Sequence, residues 1–285
     1  MVTSQNRVTL RAQWLGRQLR ELREASGLKL SEAGECLKRD ASTVSRFETG
    51  VYPIHQPDVR ALLDLFGVRD ERRRGALLRL SEEAWRTGWW DGYAQDVEGS
   101  FIDYVWLESR ATRIRTFDVA SFYGLLQTPD YARAVIRGVE RAASDTQTDR
   151  WVELRLMRQA ILERMTPPQV SMIMDEALLW RASGGASVLR AQLQHLAALA
   201  HRSNIEIRVL PFKAGSHASP DGAFRVLSLP EPFVEVACVE SPAGALYVEE
   251  PDAARFTAVY DQLEDASLNK RESINLINAT AEKLE

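Results

Sequence analysis

The passage LSEAGECLKRDASTVSRFETG, from Leu30 to Gly50, constrains this chain more than any other. Lys38-Arg39-Asp40 interrupts it, Asp40 is a good N-cap and Gly50 a good stop, so it predicts two short helices, 30–37 and 41–48. Helices this short do not persist alone in water and must be held by packing. The sequence supplies the means. Gly34 is the small residue needed where two helices approach across a tight bend, and Val44 and Phe47 face Ala33 and Leu37. The result is a helix-turn-helix.

Flanking segments complete a bundle. Residues 11–26 put Trp14, Leu15, Leu19 and Leu22 on one face, with Arg17, Arg20 and Arg23 largely elsewhere, and Gly27 ends that helix. Beyond Pro53 and Pro57, residues 58–66 read as a fourth helix closed by Gly67. Charge separates this head from the rest. Residues 1–70 hold 11 Lys/Arg and 9 Asp/Glu, a net +2, which leaves −6 elsewhere in a chain of net charge −4. A mildly basic head on an acidic body fits a head that meets an anionic partner.

The stretch LGRQLRELREASGLKLSEAGECLKRDASTVSRFETG resembles the Cro/repressor-like (XRE) helix-turn-helix family, and STVSRFETG is similar to that family's recognition helix with its Glu-x-Gly ending. Leu30 departs from the phosphate-binding Gln usual there, Lys29 is a poor N-cap, and Lys38 replaces the usual turn Gly. The resemblance implies a third helix in the major groove, with Ala41, Ser42, Thr43 and Arg46 as readers. Arg46 suits guanine O6 and N7; the alternative is a salt bridge to Glu48 or a neighbouring acid. Arg17, Arg20, Lys38, Arg39 and Tyr52 are the expected phosphate contacts, each equally readable as a solvated surface residue.

Residues 70–90 predict a long helix with Leu77, Leu78, Leu80, Ala84 and Trp85 on its apolar side. Downstream, helices are expected around 101–112, 129–141 (Thr128 cap, Pro129 first) and 149–165, with Asp145, Thr146 and Thr148 as capping candidates for the last. ATRIRTFDVA suits a short strand and QVSMIMD a buried one; a helix over 188–201 follows. NIEIRVLPF, GAFRVLSL, FVEVACVE and ALYVEE read as short, turn-linked strands before helices at 251–266 and 269–284. The expected fold is an all-α helix-turn-helix bundle followed by an α+β domain with a mostly antiparallel sheet. The expected divisions are 1–69 for DNA binding, 70–95 as a linker helix, and 96–285 for dimerisation or sensing.

The body resembles the WhiJ-like, antitoxin-like C-terminal domain of unknown function found behind such heads in actinobacterial regulators. The carrying residues are Trp89-Trp90, GLLQTPDYARAVI, RQAIL at 158–162, DEAL at 175–178, Gly184-Gly185 with QLQHL, VLPF and GAF; Tyr123 stands where that group has Pro. The resemblance implies a DNA-binding regulator often paired with a small partner protein, and it supplies no established ligand.

No catalytic constellation emerges. Asp175 and Glu176 are adjacent and read better as helix N-terminal charges before ALLWR. His217, in KAGSHASPDG, has no GxSxG nearby, and KAGSH lacks P-loop spacing. Two distant cysteines and four scattered histidines offer no metal cluster, and Cys238 suits a buried strand. Most of the seven tryptophans suit core packing, but Trp89 and Trp90 cannot face the same core, so one is a candidate partner or ligand contact. No apolar run approaches the ~20 residues that span a bilayer, and the N-terminus has no apolar segment of signal type. The expectation is a cytoplasmic, dimeric transcriptional regulator that binds double-stranded DNA, without metal, cofactor or enzymatic activity. Its body receives a ligand or partner-protein signal. The alternatives are an antitoxin-like module that mainly docks a small partner, and an enzyme tethered to DNA.

Overall fold

The computed structural model describes residues 8–86, 88–230, 235–241 and 244–284. Residues 1–7, part of the N-terminal segment expected to lack an apolar signal-type run, and Phe233 and Val234, assigned to a strand, lie outside them. The chain divides into two compact units after Gly92.

The first unit is helical: α1 (Leu10–Ala25), α2 (Leu30–Leu37), α3 (Ala41–Glu48), α4 (Gln56–Leu65) and α5 (Glu71–Trp85). Their ends are made by local chemistry. Thr9 caps α1, Asp40 accepts from the Thr43 N–H at 2.6 Å to cap α3, and Asp70 caps α5. Gly27, Gly50 and Gly67 follow α1, α3 and α4 in left-handed conformations. Trp14, Leu15, Leu19, Val44, Val59, Leu62 and Leu77 form the interior. The helix expected over 70–90 as a linker spans only Glu71–Trp85, packs on α1 and α4 within this unit, and is followed by a separate 3-10 turn over Trp89–Tyr93. Trp85 differs from expectation: it leaves the apolar face, 48% exposed, and stacks on His55 at 3.9 Å between ring centroids. Arg23 also differs, being buried although it falls off the apolar face of its helix.

The second unit carries α6 (Gly99–Arg110), β1 (Arg113–Asp118), α7 (Pro129–Val139), α8 (Asp145–Arg158), β2 (Gln169–Asp175), α9 (Ala186–Leu199), β3 (Ile205–Leu210), β4 (Phe224–Ser228), β5 (Glu235–Ser241), β6 (Gly244–Glu249), α10 (Ala253–Ala266) and α11 (Lys270–Lys283). Helix α8 starts before the expected 149 because Ser144, rather than the named candidates, accepts from the Gln147 N–H at 3.1 Å. It also stops at Arg158, giving way to a 3-10 turn over Gln159–Glu163.

Among the described residues the strands form one six-stranded sheet in the order β3-β2-β1-β4-β5-β6. Three of its five pairings are antiparallel, so the sheet is mixed and mostly antiparallel. The parallel part follows from connectivity. Helices α7 and α8 intervene between β1 and β2, and α9 between β2 and β3, and such crossovers return the chain in the same direction. Helix α10 covers one face through Tyr260 and Leu263 on Phe117, Phe224 and Val226. The other face is partly polar. Register sets Thr116 beside Arg225 and Arg225 beside Cys238, and Asp118 and Glu240, two residues along, share that face.

Candidate functional site

Two places in the chain present chemistry: the exposed side of α3 in the first unit, and a cavity in the second.

Helix α3 is held from behind. A Cβ at Gly16 would lie 2.4 Å from the Phe47 carbonyl oxygen, and one at Gly50 2.5 Å from the Gln13 nitrogen, so both glycines are needed for α1 to approach the end of α3. Across this contact the Arg23 guanidinium grips the Glu48 carboxylate at 2.6 and 2.9 Å, with both side chains buried, and Arg23 also donates to the Leu28 carbonyl at 2.8 Å. Glu48 and Gly50 are thus the two ends of a lock, which gives the Glu-x-Gly ending a physical reason. At the other end, a Cβ at Gly34 would meet the Arg39 carbonyl oxygen at 2.7 Å.

The side of α3 away from this lock is open. Ser42 and Arg46 are exposed, and Ala41 and Thr43 half-buried. Ser42 Oγ donates to Asp40 at 2.7 Å, and hydrogen bonds from Ser42 and Thr43 hold the Asp40 carboxyl at about 2, well below the usual range. Arg46 does not bridge to Glu48, which is committed to Arg23. Its guanidinium lies 5.4 Å from the centre of the Tyr52 ring, and the Tyr52 N–H donates to the Arg46 carbonyl at 3.2 Å. Lys38 and Arg39 are exposed in the turn before α3, with Lys38 left-handed at φ 55°. Arg17 is exposed on α1, one residue after Gly16. The structure therefore groups Ala41, Ser42, Thr43, Arg46 and Tyr52 on and just after one helix, with Lys38 and Arg39 at its entrance.

The cavity of the second unit has a volume of about 690 Å³. Phe101, Tyr104, Phe122 and Trp151 line it, together with Arg155, Arg158 and Arg225. Arg158 is buried and bidentate to Glu108, with both bonds at 2.7 Å. Tyr104 and Tyr123 donate to the same carboxylate at 2.9 and 2.6 Å. Burial with the Glu108 charge alongside raises both tyrosines well above their usual range. Arg225 lies over the rings of Tyr104 and Tyr123 and reaches Glu240 at 3.2 Å and Asp118 at 3.8 Å. Burial raises the Asp118 carboxyl to about 6. Sequence reasoning missed this cluster. The one local signal is Tyr104 and Glu108 at i, i+4 on a helix; the pairing of residues 108 and 158 has none.

The other singled-out residues stand apart. Asp175 accepts from the Ala177 N–H at 2.7 Å and so heads a 3-10 turn, and Glu176 accepts from the Phe212 N–H at 2.8 Å. His217 packs edge-on to Phe117, and Cys238 is buried in β5. Trp89 is exposed and Trp90 half-buried, their rings 5.7 Å apart and edge-to-face. No group of acids, histidines or cysteines among the described residues suits a metal, and no helix among them is long and apolar enough to cross a membrane.

Residues 101–279 match a protein family described as a domain of unknown function, DUF5753, and residues 14–77 match one described as a helix-turn-helix domain. No curated protein and no solved structure matches the chain.

Proposed function

The chain belongs to the DUF5753 family behind a helix-turn-helix head, and on that premise we propose that it is a sequence-specific, DNA-binding transcriptional regulator of the Cro/repressor-like kind. The observation that carries this reading is the open side of α3. A helix locked from behind by Arg23–Glu48, Gly16 and Gly50 presents Ser42 and Arg46 outward at a fixed angle. Ala41, Ser42, Thr43 and Arg46 read base edges. Lys38, Arg39, Arg17 and Tyr52 meet phosphates, which positions the helix without reading sequence. The Arg46–Tyr52 stack preorganises the guanidinium for a guanine edge. One such helix covers only a few base pairs, so two chains act together on paired half-sites as a homodimer. The body receives the signal. A cavity of about 690 Å³ suits a small-molecule signal, and this supports sensing over the antitoxin-like alternative in which the body mainly docks a small partner protein. The reading places the protein in the cytoplasm and assigns it no enzymatic step.

Selection of bound sites from genomic DNA followed by gel-shift titration tests this. Arg46→Ala should cost about 1–3 kcal/mol on the selected site and relax selectivity at one base position. The stoichiometry of the shifted complex should be two chains per site. Unchanged affinity of Arg46→Ala would place the reading surface elsewhere.

A further inference from the structure

Of the three arginines that line the cavity, two are in ion pairs and one is not. Arg158 is saturated by Glu108, and Arg225 has Glu240 and, more distantly, Asp118. Arg155, on α8, lines the same cavity and donates to the neutral Gln127 Oε1 at 2.9 Å. Among the described residues no carboxylate pairs with it. Burial and the neighbouring Arg158 push its pKa down to about 10 against the pull of the Glu240 and Glu108 charges, so it is still protonated at neutral pH, as a cation with no carboxylate in direct contact. A second donor is idle nearby, since Arg225 Nε is buried with no hydrogen-bond partner. A guanidinium that faces a cavity with no bonded carboxylate gains from an anion that arrives there, and it prefers a planar bidentate acceptor.

The remaining lining narrows the class. Phe101, Phe122 and Trp151 offer flat apolar surface, and a volume of about 690 Å³ is in the range of a small organic molecule. Of the four acids that line the cavity, Asp96 and Glu240 are engaged by Arg150 and Arg225, and the exposed Glu98 and Glu140 repel a second negative charge. We propose that this cavity binds a small aromatic or alicyclic monocarboxylate, its carboxylate paired with the Arg155 guanidinium and its ring against Phe101, Phe122 and Trp151. This deepens the sensing half of the function proposed above by naming the chemistry of the signal.

The test is calorimetric titration of the full-length protein, without DNA, using benzoate and indole-3-acetate as probes and benzamide and phenyl phosphate as controls. Both carboxylates should bind, and benzamide and phenyl phosphate should bind about tenfold more weakly or worse. Arg155→Gln should weaken the carboxylates by roughly 10- to 100-fold, with part of the affinity kept in Arg155→Lys. Because burial of Arg155 is not offset by a bonded carboxylate, Arg155→Gln should keep or raise the melting temperature, whereas a merely structural arginine would lower it. The benzoate-to-benzamide comparison on the unmodified chain needs no variant and stands even if one fails to fold. Absence of carboxylate binding at about 10 mM, equal binding of benzamide, or unchanged affinity in Arg155→Gln would overturn the proposal. With no DNA in the titration, such a failure leaves the DNA reading intact, and failure of the Arg46→Ala gel shift leaves this one intact.

Discussion

Replacing Glu48 by Ala should loosen the whole head, and the size of the effect follows from the Arg23–Glu48 lock. Both side chains are nearly out of water, at 10% and 6% exposure, and the carboxylate accepts two short bonds from one guanidinium. Deleting the acid strands a buried cation, which costs about 3–5 kcal/mol in comparable sites. Arg23 keeps its bond to the Leu28 carbonyl and a 3.3 Å contact to the more exposed Glu24, so the low end, about 3 kcal/mol, applies. A free-energy change of that size is roughly a 150-fold rise in the open population. A helical unit of this size holds only about 5–10 kcal/mol in all. Native-state hydrogen exchange on the full chain reads this directly. Amides of α1 and α3 should exchange about 100-fold faster, while those of the second-unit strands stay put. The double change Arg23→Met with Glu48→Met should recover most of the protection, because an apolar pair carries no desolvation cost. Unaltered exchange in Glu48→Ala, or a double variant as loose as the single one, would refute the reasoning.

Two other outcomes follow from the geometry. Lys38 is the non-glycine residue with left-handed backbone among the described residues, so Lys38→Gly should stabilise the head by about 0.5–1 kcal/mol in thermal unfolding while weakening all DNA sequences alike and flattening the salt dependence. Asp118 titrates near 6 in the folded chain through burial and near 3.8 when unfolded. The folded state therefore holds the extra proton between those values, and stability contributed by this residue is full below about pH 4 and falls by about 2–3 kcal/mol as pH rises through 6. Urea titrations of the native chain and of Asp118→Asn across pH 4–7 should differ by that slope, and parallel curves would show that Asp118 is not the group responsible.

Local chemistry alone determined the boundaries of α2 and α3. Leu30–Leu37 and Ala41–Glu48 follow from an N-cap at Asp40, a small residue at Gly34 and a stop at Gly50, and each of these acts over a few residues. Strands from QVSMIMD onward were legible for the same reason, through short apolar runs bounded by turn residues. What the polar residues do was decided by tertiary structure. Arg23 falls on the polar side of its own helix and is buried because α3 brings Glu48 to it from 25 residues away. Arg158 meets Glu108 across 50 residues, and Arg225 meets Asp118 and Cys238 only because the sheet's register sets β4 between β1 and β5. The parallel order of β1, β2 and β3 likewise belongs to the path of the crossover helices and not to any strand's own pattern. Period and capping are properties of adjacent residues and survive in a sequence read alone. A buried charge acquires its meaning from whatever the fold places opposite it, so the lock behind α3 and an Arg155 that faces a cavity without a bonded carboxylate exist only once the chain has closed around them.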